Sequence, residues 1–178
     1  WLPQMDSWPQ YNDSQEKQLY SALIGLKEVA PDQARQQIAD LEKTHAQRRA
    51  WVWAELGESQ LAQALKHLAT LAKLTKESKF GGSVEEQAER YMQFLWKADD
   101  AVIQALQQAV DKKGRNAIIT AINALYLGWA QEMAQAFQKE WIHHPVDQTK
   151  ENHEPMRGEI IVFVDGLRMD LGYRLSAM

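Results

Sequence analysis

The chain contains no cysteine, which excludes disulfide frameworks, thiolate metal sites and cysteine nucleophiles together. It also has no surplus of positive charge: 20 Lys plus Arg stand against 24 Asp plus Glu in 178 residues, a net charge of −4. Binding driven by phosphate neutralisation needs a basic surface, so nucleic acid is not expected as a partner of the helical part. No run approaches the roughly 20 consecutive apolar residues that cross a bilayer, and the N-terminus lacks a basic-then-apolar export signal. A cytoplasmic protein with no membrane partner is expected. β-branched residues are scarce as well, with 9 Ile and 8 Val against 23 Ala and 19 Gln. Ala and Gln lose little side-chain entropy in a helix, whereas β-branched residues favour strands.

The composition therefore predicts a mainly all-α chain, and punctuation divides it. Residues 1–12, with Pro3, Pro9, Trp1, Trp8 and Tyr11, are expected to form an extended strip of aromatic rings. Asp13 with Glu16 has capping-box spacing ahead of Leu19, Leu23 and Leu26. Pro31 stops that helix and suits the first turn of the next, where its missing N–H has no intrahelical partner. Ala34, Ile38, Leu41, His45, Val52 and Leu56 mark one face of this second helix, until Gly57 breaks the pattern. Ser59 then caps a helix whose Leu61, Ala64, Leu65, Leu68 and Leu71 follow the i, i+3, i+4, i+7 template. Gly81 and Gly82 turn the chain into Ser83-Val84-Glu85-Glu86, a second capping box. A helix follows towards Gly114, with a possible break and new cap at Asp99 and Asp100. A last long helix is expected from Asn116, with Ile118, Ile122, Leu125, Tyr126, Trp129, Met133 and Phe137 on one stripe. Residues 1–141 thus read as a five- to six-helix bundle or array, and 142–157 as a linker.

Residues 158–178 differ in kind. Ile160-Ile161-Val162-Phe163-Val164 is a continuous apolar run, as in a strand covered on both faces within an α/β sheet. Asp165-Gly166 turns the chain, and Met169 to Met178 reads as a helix. One strand cannot cover both its own faces, so the chain reads as a piece of a larger protein. Asp165 ends this strand at the carboxyl edge, where open α/β sheets place their ligands. It suits either a divalent-cation ligand or a cap of the following helix. Asp170 falls in the first turn of that helix, where a negative charge suits the dipole, and Arg168 is expected to pair with it at the surface. His143, His144, Asp147 and His153 are metal-capable types without ligand spacing. Lys112, Lys113 and Arg115 are taken as partners of a helix C-terminus, and Arg48 and Arg49 beside Trp51 and Trp53 as packing and interface.

The run Ile160-Ile161-Val162-Phe163-Val164-Asp165-Gly166-Leu167-Arg168-Met169-Asp170 resembles the first strand and metal-site turn of PglZ-domain proteins. These are members of the alkaline-phosphatase-like superfamily found in bacteriophage-exclusion (BREX) and phage-growth-limitation defence systems. Arg48-Arg49-Ala50-Trp51-Val52-Trp53-Ala54-Glu55-Leu56-Gly57 is similar to the helical region ahead of their catalytic domain, a broader and less specific likeness. The resemblance implies that Asp165 is a first metal ligand, with zinc or a similar divalent ion as cofactor. It further implies a phosphate ester as substrate of the complete protein and other phage-defence proteins as partners. In that superfamily the Ser or Thr nucleophile and the remaining Asp and His ligands come from later strands, so these 178 residues are expected to be inactive alone and to act as a scaffold or interaction module. A non-enzymatic adaptor with a degenerate phosphatase-like domain is the alternative.

Overall fold

A computed structural model describes residues 5–77, 80–145 and 166–178. These are mainly helical, and no strand occurs among the described residues. The expected strand at 158–164, and Asp165 with it, lies outside them.

Nine α-helices are described: α1 (Pro9–Gly25), α2 (Pro31–His45), α3 (Val52–Glu55), α4 (Gln60–Glu77), α5 (Val84–Arg90), α6 (Trp96–Gln107), α7 (Lys112–Ile122), α8 (Gly128–His143) and α9 (Met169–Ser176). A π-helical turn, Tyr91–Leu95, joins α5 to α6 without a break, and another, Asn123–Leu127, joins α7 to α8. The long rods are therefore α1, α2, α4, α5–α6 and α7–α8, with α3 and α9 as short additions. The core runs along α4, whose Leu65, Leu68 and Leu71 are fully buried. Helix α4 packs against α2 and α6, and α1 packs against α7. Leu19 and Leu23 of α1, Ile38 of α2 and Ile118 of α7 complete the same core. Each buried leucine contributes about 2–3 kcal/mol by leaving water.

Local chemistry explains most boundaries. Pro9 and Pro31 occupy first-turn positions of α1 and α2, where a missing N–H costs nothing. Ser83 and Glu86 close the expected capping box: the Glu86 N–H donates to Ser83 Oγ at 3.3 Å, and the Ser83 N–H donates to Glu86 Oε2 at 3.0 Å. Gly57, Gly81 and Gly82 have φ values of 81°, 121° and 94°, a region that side chains with a Cβ avoid.

Five boundaries differ from the sequence reading. The second helix ends at His45 rather than running on to Leu56: a 3-10 turn, Ala46–Ala50, and the short α3 follow, and Val52 and Leu56 are exposed instead of continuing the buried face. The described part of residues 1–12 is helical: Met5–Ser7 is a 3-10 turn and α1 begins at Pro9. Asp13 therefore caps nothing, because it lies inside α1, and Glu16 is used elsewhere. Helix α6 runs through Asp99 and Asp100, since the irregularity is taken up one turn earlier by the π turn. Helix α7 starts at Lys112 rather than Asn116, because Asp111 caps it through a 2.6 Å bond from the Gly114 N–H. Lys112, Lys113 and Arg115 thus lie at a helix N-terminus, not a C-terminus, and Lys113 Nζ sits 4.4 Å from the centre of the Tyr20 ring. At the other end of this rod, α8 extends through Ile142 and His143. His144 is the exposed residue after it, with Nε2 3.9 Å from Glu140, while Asp147 and His153 lie outside the described residues.

Candidate functional site

Of the residues that carry the metal-site resemblance, the described ones are Gly166 onward. Gly166 turns the chain with φ 68°, and Arg168 and Asp170 then open α9. This helix sits on α6 and the adjoining π turn. The Tyr173 ring stacks on Trp96 with 4.5 Å between centroids, its hydroxyl donates to the Met92 carbonyl at 2.8 Å, and Arg174 pairs with Asp100.

Beneath α9 lies a carboxylate hub that depends on the two π turns. Tyr91 and Tyr126, one in each, both donate phenolic hydrogen bonds to Asp99, each at 2.5 Å. Residues eight apart in a regular α-helix are rotated by roughly 80°, at about 100° per residue. The wider π turn absorbs one residue, which brings Tyr91 onto the face of Asp99. Burial, reinforced by the hydrogen bonds to Asp99 and its charge, pushes both phenols well above the ordinary tyrosine range. They are permanent donors here, unsuited to proton abstraction. Asp99 and Asp170 both raise the pKa of Arg168, which is governed first by its own bond to Asp170.

Asp170 is the unusual member. It is 2% exposed, its Oδ1 accepts from Arg168 Nε at 3.0 Å, and its Oδ2 has no hydrogen-bond partner among the described residues. The expected Arg168–Asp170 pair therefore exists, but as a half-buried one rather than a surface one. A guanidinium bonded to a carboxylate repels a cation, so Asp170 does not fit as a metal ligand. Among the described residues no group of three or more His, Asp or Glu side chains converges on one point.

A second polar cluster gathers the Arg48-Arg49-Ala50-Trp51-Val52-Trp53 segment. Arg48 is 1% exposed; its guanidinium donates to Asn12 Oδ1 and to Glu16 Oε1, both at 2.8 Å, and lies 5.7 Å from the Trp51 ring centre. Asn12 Oδ1 also accepts from Ser59 Oγ at 2.7 Å, and its amide donates to the Glu58 carbonyl at 2.8 Å. Glu16 Oε2 accepts the Leu61 N–H at 3.0 Å. The acid expected to cap α1 therefore caps α4 across the fold. Arg49 forks onto Glu42 with bonds of 2.9 and 2.6 Å, and Trp53 Nε1 donates to the Asp6 carbonyl at 2.9 Å. These cations are consumed internally, as the packing reading expected. His45 is 4% exposed, and burial followed by the Arg48 charge depresses its pKa.

Sequence reasoning did not anticipate the Tyr91–Asp99–Tyr126 hub. Asp99 draws notice only with Asp100, as a pair of short polar residues suited to a break and a new cap. Compared with known proteins, the chain matches no family model, no curated protein and no solved structure.

Proposed function

We propose that the chain is the helical portion of a PglZ-type metal-dependent phosphatase or phosphodiesterase of bacterial phage defence, and that the helical array serves as the scaffold for its metal-bearing domain. The run Ile160 to Asp170, apolar and then Asp-Gly-Leu-Arg-Met-Asp, carries the reading. The seat of α9 supports the scaffold role: the helix that follows Asp165 is held by an aromatic stack, a hydrogen bond and an ion pair to α6 and its π turn. In this reading Asp165 contributes one hard oxygen ligand to a zinc-like ion, and the nucleophile is supplied by other residues than these. One carboxylate cannot hold a catalytic metal, so the 178 residues alone have no hydrolase activity.

The test compares two proteins with a generic phosphodiester and a series of divalent ions. The polypeptide encoded by the whole reading frame that contains these residues is expected to hydrolyse it with metal, and D165A to abolish turnover without lowering the melting temperature. The 178-residue chain is expected to give none. Metal-dependent turnover by the 178-residue chain that D165A removes would overturn the scaffold assignment. A full reading frame that binds its defence partners but never hydrolyses a phosphate ester would replace the enzyme with an adaptor.

A further inference from the structure

Helix α9 has a second face that nothing described covers. It meets the helical array through Asp170, Tyr173 and Arg174, while Leu171 and Leu175 are 44% and 62% exposed, with Leu167 before the helix at 43% and Met178 behind it fully exposed. Positions 167, 171, 175 and 178 fall within an arc of roughly 80° on a helical projection. This is an apolar stripe of the kind a helix turns towards a core, here turned to water. Polar and aromatic bonds hold one side of α9, and apolar carbon makes up the other.

We infer that this leucine stripe is the docking face for the apolar run Ile160–Val164 of the same chain, so that α9 is shared between the helical array and the sheet layer that the run begins. The inference rests on the phosphatase-like reading in taking that run as a strand. Three observations select this occupant. The run precedes α9 by only four residues, Asp165 to Arg168, and a helix that follows a strand at so short a turn covers the sheet's face. Its side chains are apolar at every position from Ile160 to Val164, so each face of such a strand needs a cover. The stripe is also too small for a second copy: four side chains fall far short of the ~800 Å² per partner of a stable interface, whereas a covalently attached segment avoids the entropy cost of association. With its other side bonded to Asp100 and Trp96, α9 transmits the position of the helical array to the turn at Asp165.

The absence of cysteine makes disulfide trapping a clean test on the 178-residue chain. L171C is combined with V162C, which samples one face of the strand, and separately with F163C, which samples the other. A disulfide forms only where Cα atoms approach within about 7 Å, and alternate strand residues face opposite ways. One of the two pairs is expected to close within the monomer about tenfold faster than the other. Equal rates, no closure in either pair, or bands of dimer size on non-reducing gels would each overturn the inference. Because trapping needs no metal or substrate, its result is independent of the hydrolysis assay: trapping without hydrolysis removes the phosphatase reading alone, and hydrolysis without trapping removes this inference alone.

Discussion

Replacing Arg48 by Met keeps most of the side chain's volume and its apolar stem while deleting the guanidinium. Its two short hydrogen bonds disappear, those of 2.8 Å to Asn12 Oδ1 and Glu16 Oε1, together with the weaker contact to the Trp51 ring. Neither partner is left wholly unsatisfied: Asn12 Oδ1 retains Ser59, and Glu16 retains the Leu61 N–H. Hydrogen bonds to charged groups contribute about 1.5–3 kcal/mol each, and removing one partner of a buried ion pair costs roughly 3–5 kcal/mol. The retained bonds place R48M towards the lower end, about 3–4 kcal/mol. For a domain of this length each kcal/mol moves the midpoint by about 2–4 °C, so the melting temperature should fall by roughly 6–16 °C.

Urea unfolding followed by circular dichroism measures the loss directly, with an unchanged m-value showing that the denatured state is not altered. The companion variant E16Q removes the charge that Arg48 faces and should cost a similar amount. The double variant R48M/E16Q should be more stable than the sum predicts by about 2 kcal/mol, because the first substitution has already removed the interaction that the second one breaks. A loss under about 1 kcal/mol for R48M, or additivity within about 0.5 kcal/mol, would refute the claim that this pair fastens α1 to the start of α4.

Gly128, exposed in a helical stretch with nothing within 4 Å of an added Cβ, should accept alanine with a gain of about 0.5–1 kcal/mol in urea unfolding. Folding holds His45 below its ordinary pKa of 6.5; as the pH drops below that value the unfolded chain takes up the extra proton and stability falls, while above it the His45 contribution is constant. The urea midpoint should therefore decline between about pH 7 and pH 5.5, and H45Q should flatten that slope. Asp100→Asn removes the charge facing Arg174 and should speed amide exchange in α9 while leaving α4 unchanged, as expected of a locally held element.

Much of the array is legible in the residues themselves, because its signals are local. Pro31, Gly57, Gly81, Gly82 and the Ser83–Glu86 box act within a few residues of where they sit, and the leucine ladder of α4 needs only its own spacing. What was misread depends on partners distant in sequence. Glu16 has capping-box spacing to Asp13, but α1 begins at Pro9 and both residues lie inside it, so no helix start there uses the acid. The start of α4 takes it instead, because Arg48 and the Leu61 N–H hold the carboxylate there. Lys112 and Lys113 look like the end of one helix until Asp111 is recognised as the cap of the next. The stripe from Ile118 to Phe137 was read correctly as one rod, yet its π turn leaves no compositional mark. Asp165, the residue with the sharpest sequence signal, lies outside the described residues, so its role rests on its motif.

The two π turns connect these points to function. A π turn sacrifices regular hydrogen bonding and persists where the widened geometry is used. Here both are used at one place: each turns a tyrosine onto Asp99, and the carboxylate they fix lies under Arg168 and beside the seat of α9. Without the phase shift Tyr91 would point roughly 80° away from Asp99, leaving a half-buried carboxylate short of donors under a second, more deeply buried one, Asp170. Such a pair repels, and Arg168 alone would have to balance both. Y91F and Y126F isolate the effect, since each deletes one donor without touching the ion pairs. Each should cost about 1.5–3 kcal/mol if Asp99 depends on both phenols, with faster exchange in α9 as the local sign. If both variants unfold at the wild-type urea concentration and α9 exchanges no faster, the π turns serve only internal packing and the hub does not hold the C-terminal helix.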